Sequence, residues 1–162
     1  MNPSYCNKIH TLETIRELIS DWRNHSNKIV FTNGCFDILH LGHVDYLEKA
    51  KNLGDKLIVG LNSDRSVSAI KGPSRPIQDE TCRSGVMASL ASVDAVIIFD
   101  ENTPLELIES LKPDILVKGG DWHLDKIIGA DIVFALGGDV KTIPIIQGYS
   151  TTLIEQKIKS QK

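Results

Sequence analysis

Short runs rich in Val and Ile recur along the chain, separated by longer stretches in which apolar residues fall every three or four positions. The runs at 28–33, 56–61, 94–99, 114–118 and 141–145 predict five strands. The stretches between them predict helices over 41–53, 79–90, 104–111 and about 124–136, the last stopped by Gly137-Gly138. An opening helix over about 11–25 and a closing one after Ser150 complete the set. In the helix over 41–53, Val44, Leu47, Ala50 and Leu53 recur at steps of three and form a stripe suited to lie on a sheet. Strands alternating with helices predict an α/β fold: one doubly wound, parallel, five-stranded sheet with helices on both faces. Residues 1–27 read as an N-terminal helical extension ahead of a single domain over 28–162. The one long loop, KGPSRPIQ at 71–78, places two prolines and a glycine among two cations, which suggests a working loop rather than a spacer.

Composition narrows this picture in three ways. With 162 residues, 41% hydrophobic and 24% charged, the chain suits one domain with one core. A formal net charge of −3 gives no basic footprint, which argues against a nucleic-acid partner and requires that any anionic ligand be held by a local cluster. No apolar run approaches a membrane span and the opening MNPSYCNKIH lacks a secretory core, so a cytoplasmic protein with no membrane partner is expected. The three cysteines, Cys6, Cys35 and Cys82, are widely spaced with no C-x-x-C pair, which fits reduced thiols rather than a disulfide framework or a structural zinc site.

The chemistry concentrates in FTNGCFDILHLGH, 31–43. A buried parallel strand ending at Asn33-Gly34 delivers the following loop to the carboxyl edge of the sheet, where open α/β folds bind ligands. His40 lies just before the next helix and His43 in its first turn, so both rings can face the same side, with Gly42 between them. Free N–H groups at that helix start favour an anion. Two imidazole donors, a helix N-terminus and a glycine turn together describe a phosphate cradle. A metal site using Cys35, His40 and His43 is the rival reading, though no further Cys or His cluster supports it. A dinucleotide-binding turn lacks its glycine fingerprint. His10, His25 and His123 read as ordinary surface or core residues.

GCFDILHLGH resembles the H-x-G-H signature of the nucleotidyltransferase superfamily, whose members transfer a nucleoside monophosphate from a triphosphate to a phosphorylated acceptor. The resemblance runs from about residue 28 to 158. GLNSDRSVSAIKGPSRPI, LVKGGDW and GYSTTLI are similar in particular to heptose 1-phosphate adenylyltransferases, which occur alone or as the C-terminal half of a bifunctional kinase–adenylyltransferase. It implies a Rossmann-like nucleotidyltransferase domain over 28–162, with ATP and a sugar phosphate as substrates, ADP-heptose for lipopolysaccharide as the product, Mg2+ as the cofactor, a homo-oligomer, and a separate heptose kinase acting upstream. A cytidylyltransferase acting on glycerol 3-phosphate or another alcohol phosphate shares several of these segments, and a non-catalytic nucleotide-binding module is the alternative of another class.

Residue by residue, the resemblance implies His40, His43 and Lys118 as catalytic. It assigns Thr32, Asn33, Gly34, Phe36, Arg83, Gly119, Asp121, Ser150, Thr151 and Thr152 to the nucleotide, Asp37, Asn62, Asp64, Lys71 and Arg75 to the acceptor, and no side chain to a metal. The residues themselves allow these roles and plainer ones. Ser63 or Asp64 suits an N-cap, Lys71 and Arg75 suit phosphate or solvent, and Gly119-Gly120 frees the backbone to pass close to a ligand. Gly85 departs from the expected pattern, replacing a helix former beside Arg83 at a cost of about 1 kcal/mol relative to alanine. Ser150, Thr151 and Thr152 cluster at a helix start, with Glu155 placed to form a capping box with Thr152.

Overall fold

The computed structural model describes residues 3–161. A 3-10 turn over Ser4–Lys8 leads into β1 (Ile9–His10) and α1 (Leu12–Asn24). There follow β2 (Ile29–Gly34), α2 (Leu41–Lys51), β3 (Lys56–Asn62), α3 (Asp64–Lys71), α4 (Glu80–Ala88) and β4 (Ala95–Phe99). The chain ends with α5 (Leu105–Leu111), β5 (Ile115–Gly119), α6 (Ala130–Ala135), β6 (Asp139–Ile143) and α7 (Thr151–Ser160). All strand pairs are parallel, and the sheet has six strands in the order β1-β4-β3-β2-β5-β6 rather than the expected five. The added strand is the two-residue β1, too short to leave a pattern in sequence, which pairs Ile9 with Val96 and His10 with Ile97.

The strands are apolar on both sides because helices cover both faces. On one face, Phe31, Ile58, Ala95 and Leu116 pack against α1, α5 and α6 through residues such as Ile15, Ile19, Ile108 and Val133. On the other, Val30, Leu57, Val59 and Val117 meet Tyr46, Leu47 and Ala50 of α2 and Met87 of α4. Each such fully buried aliphatic side chain contributes about 1.5–3 kcal/mol of transfer free energy. The segment ahead of residue 28 adds the edge strand to this sheet, and Ile15, Ile19 and Trp22 to the core.

Carboxylates fix the amino edge of the sheet. Asp55, Asp94 and Asp114 each accept a 2.7 Å hydrogen bond from an N–H group at or beside the start of a neighbouring strand, at Lys28, Leu57 and Ile29 respectively. The opposite, carboxyl edge is left to the loops.

Three elements differ from their expected spans. The helix expected over 124–136 is a 3-10 turn at Leu124–Lys126 followed by α6, broken at Gly129. Gly129 has φ +82°, and a Cβ there would lie 2.7 Å from Ile108 Cδ1. β6 begins two residues earlier than expected and ends before Pro144, which has no N–H to extend the ladder. α3 occupies a stretch expected only as a cap and a loop; Ser63 caps it, accepting the Ser66 N–H at 3.1 Å. Among the described residues, no helix is long and apolar enough to cross a membrane.

Candidate active site

β3 and β4 lie to one side of β2, while β5 and β6 lie to the other. The chain therefore reverses its direction of travel across the sheet at the β2–β5 pair, and loops leaving the two carboxyl ends diverge. A cleft of about 460 Å³ opens there.

β2 supplies its floor through Asn33 and Gly34, and the following turn supplies Cys35, Phe36 and Asp37. A Cβ on Gly34 would lie 2.9 Å from the Phe36 ring, so glycine lets that ring fold back over the strand end, with Phe36 itself at φ +42°. The ring meets His43 edge-on, with centroids 5.2 Å apart and planes at 65°. His40 occupies the N-cap of α2 in extended backbone, with no side-chain capping bond, so its imidazole is free to enter the cleft. The His40 and His43 rings stack at 3.7 Å between centroids. Gly42 permits this, because a Cβ there would come within 3.1 Å of His40 Nδ1 and 3.4 Å of Tyr149 Cβ.

Both imidazoles are kept neutral. Burial lowers the His40 pKa, and burial, then His40, then Lys71 lower that of His43 from 6.5 to about 4. The Ile38 backbone opposes the His43 shift, close enough to favour the protonated ring without making a hydrogen bond of ordinary geometry. The Nδ1 atoms of both rings are buried with no partner among the described residues, an unfavourable state unless a ligand completes it.

The far wall is the end of β5, with Lys118 and Gly119. Burial depresses the Lys118 pKa, with Cys35 acting in the opposite direction. Tyr46 ties the two walls together: its hydroxyl lies 2.6 Å from Thr32 Oγ1 on β2 and donates to the Val117 carbonyl of β5 at 3.2 Å. Burial pushes the Tyr46 pKa up to about 12, with the Thr32 hydrogen bond opposing.

The third side is the start of α7, where Tyr149, Ser150, Thr151 and Thr152 line the cleft together with Ile145. Ser150 caps this helix, accepting the Leu153 N–H at 3.1 Å. The Thr152–Glu155 capping box is not formed; Glu155 bonds to Arg75 and Lys159 instead. Lys71, at the end of α3, and Arg75 close the remaining side. Arg75 Nε lies 2.8 Å from Asp37 Oδ2.

Five residues expected at the site do not line the cleft. Thr32 points beneath it, towards Tyr46, and is fully buried. Asp121 lies on the exposed turn beyond Gly120. Asn62 is buried against Ser66. Asp64 pairs at 2.6 Å with Arg83. Arg83 is fully buried, donating to the carbonyls of Cys35, Asn62 and Gln78 at 2.7, 2.8 and 3.0 Å; its guanidinium fastens the β2–α2 turn to β3 and the loop before α4. Conversely, Tyr46, Ile145 and Tyr149 line the cleft without having been singled out, and Cys35 lines it after entering only the rival metal reading. Only the fold brings Ile145 and Tyr149 to the histidines. Among the described residues no group of three or more His, Cys, Asp or Glu could hold a metal ion.

Comparison with known proteins places the chain in a family. Residues 31–157 match the cytidylyltransferase-like family model. A bifunctional protein HldE from Koribacter versatilis is 53% identical over 150 residues, which are 93% of this chain and 31% of that protein. A bifunctional protein HldE from Pseudomonas savastanoi is 55% identical over 150 residues, 93% of this chain and 32% of that protein. The chain thus spans about a third of the length of these relatives. Among solved structures, a lipopolysaccharide core biosynthesis protein from Thermoplasma volcanium is 35% identical, with a TM-score of 0.59 over 76% of this chain and 99% of that one. A pantoate–β-alanine ligase from Francisella tularensis, solved in complex with β-γ ATP and β-alanine, shares the fold at 15% identity, with a TM-score of 0.58 over 93% of this chain and 76% of that one. From the histidine turn to α7, this chain belongs to the cytidylyltransferase-like family of nucleotidyltransferases.

Proposed function

We propose that the cleft transfers AMP from ATP to D-glycero-D-manno-heptose 1-phosphate, releasing pyrophosphate and ADP-heptose. The observation that carries this reading is the neutral, stacked pair His40 and His43 at the start of α2, facing a cleft whose far wall holds Lys118. Among the described residues the only carboxylate in the cleft lining, Asp37, is engaged by Arg75 and by the Ile77 and Gln78 N–H groups, so it is badly placed to act as a general base. An acceptor that attacks through its own ionised phosphate needs none. A sugar phosphate is mostly ionised at neutral pH, its second pKa being near ~6.

In this reading an acceptor phosphate oxygen attacks the α-phosphorus, and the bond to the pyrophosphate oxygen breaks. Negative charge grows on the α-phosphate oxygens and the leaving group. His40 and His43 donate to that region from fixed positions, and Lys118 supplies positive charge from the opposite wall. Ser150, Thr151, Thr152 and the open N–H groups of α7 hold the leaving pyrophosphate. Lys71 and Arg75 receive the acceptor phosphate. Magnesium enters as the counter-ion of the triphosphate, part of the substrate, and no side-chain cage is assigned to it.

Two similarities support the heptose acceptor: the segments GLNSDRSVSAIKGPSRPI and LVKGGDW, and the 35% identical relative, itself described as a lipopolysaccharide core biosynthesis protein. The bifunctional relatives fit an arrangement in which a kinase supplies the heptose phosphate. Pyrophosphate release should be far faster with ATP and heptose 1-phosphate than with CTP and glycerol 3-phosphate. The reverse preference would make the chain an alcohol-phosphate cytidylyltransferase, and no release from any pair would leave a nucleotide-binding module.

A further inference from the structure

Arg75 joins three sides of the cleft. It springs from the loop over 71–78, its Nε lies 2.8 Å from Asp37 on the β2–α2 turn, and its Nη1 donates to Glu155 Oε2 of α7 at 3.2 Å. The guanidinium is only 10% exposed and Asp37 1%, so both charges are held in protein rather than in solvent. Yet the Nε–H is misaligned with Asp37 Oδ2, and neither atom completes a hydrogen bond despite the short distance. Oδ1 of the same carboxylate accepts the Ile77 and Gln78 N–H groups at 2.8 and 3.0 Å, so Asp37 holds the loop as well as its arginine. A buried pair with two orphaned atoms is a poor resting arrangement, and an anion on the unused Nη2 edge would improve it.

α7 has little else to hold it. Thr151 is its one buried residue, and Leu153 and Ile158 are 47% and 60% exposed. Among the described residues, Arg75–Glu155 is the only ion pair that joins α7 to another element. Glu155 itself lines no part of the cleft.

We propose that Glu155 is a positioning residue that makes the two substrates bind cooperatively. By gripping Arg75 it fixes the acceptor wall to the helix whose N-terminus receives the triphosphate. A phosphate drawn to Arg75 aligns the guanidinium and thereby holds α7 closed; a triphosphate seated on Ser150–Thr152 holds Glu155 in place and orders Arg75 for the acceptor. The coupling is reciprocal, as linkage requires. The substrate identities rest on the proposed reaction; the mechanical link does not.

Two measurements test it with Glu155→Gln, and with Lys159→Gln as a control that breaks only Glu155's contact within α7. Hydrogen exchange of the substrate-free protein should rise roughly tenfold in both α7 and the 71–78 loop for Glu155→Gln, and not in the loop for Lys159→Gln. In steady-state kinetics Glu155→Gln should raise the KM of both substrates, by roughly five- to tenfold each, with kcat within about threefold. Glu155→Asp, which keeps the charge, should recover part of both effects. Unchanged exchange in the loop, or a KM change confined to the triphosphate, would overturn the proposal. A protein that turned over no substrate would refute the proposed reaction and leave the exchange result to decide the link.

Discussion

The imidazoles of His40 and His43 stack with centroids 3.7 Å apart and planes inclined by 20°. Two protonated rings would repel in that geometry; burial keeps His40 neutral, and burial reinforced by His40 and Lys71 keeps His43 neutral. A neutral imidazole still carries one N–H donor. The pair thus presents two fixed donors and no charge until an anion arrives, when the surrounding field favours protonation instead.

Replacing either His40 or His43 with alanine should lower kcat by roughly 10² or more, because each change deletes a preorganised donor from a partly dry site. Circular dichroism should show the fold retained. Near-normal kcat in both variants would mean that the stacked rings serve packing alone.

Stability should fall with acid in a window set by His43. Its folded pKa of about 4 lies below the ordinary 6.5, so the unfolded chain binds the extra proton between these values. Stability is therefore complete above about pH 6.5 and declines towards pH 4, with His10 and His40 contributing in the same direction. Each unit is about 1.4 kcal/mol, and solvent in the open cleft discounts it, leaving a loss of roughly 1–2 kcal/mol. Urea unfolding at pH 7 and 4.5 measures it, and His43→Gln should flatten the slope.

Lys118→Gln should reduce turnover by roughly tenfold or more while leaving stability unchanged or slightly raised. Burial already disfavours the ammonium in the free protein, so its removal relieves a cost of folding. Thermal melts alongside kinetics separate the two effects; a large loss of stability would contradict this account.

Arg83→Ala should destabilise the protein by about 3–5 kcal/mol, since three carbonyls and Asp64 lose a fully buried partner. Lys in its place cannot reproduce the fork and should recover little. Were Arg83 a nucleotide contact, the alanine variant would instead unfold normally and show a selective rise in the KM of the triphosphate.

Gly85→Ala should stabilise α4 by up to about 1 kcal/mol. The new methyl would sit 3.4 Å from the Tyr5 ring, an ordinary contact, on a helix that gains nothing else from glycine. A lower melting temperature would show that the Tyr5 contact is tighter than it looks.

What sequence conveyed depended on how local the determinant was. β2 to β5 were legible because both faces are covered and the strands run almost unbroken in apolar residues. α3 was not, because DRSVSAIK buries little beyond Ser66 and Val67. The histidine pair, Lys118 and the Ser150 cluster were legible because short turns fix them at strand and helix ends. Arg83, Asn62 and Asp64 were misplaced for the opposite reason: their direction is set by one another across elements, and a pattern of residue types does not record which way a side chain turns. Tyr46 had no signal of its own; its hydroxyl matters only once β5 lies beside β2.

The sheet order carries a kinetic consequence. His40 follows β2 and Lys118 ends β5, neighbours in the sheet that are separated in sequence by β3 and β4, which lie on the other side. A partly folded chain can assemble β2, β3 and β4 through successive β-α units while β5 and β6 remain undocked. Such an intermediate would own most of its secondary structure and both histidines but only half a cleft. The closure of the longest of these loops is entropically the slowest step to be rewarded. Competence for chemistry is therefore a late event in the life of each molecule, and a chain interrupted before β5 has made a sheet but not yet an enzyme.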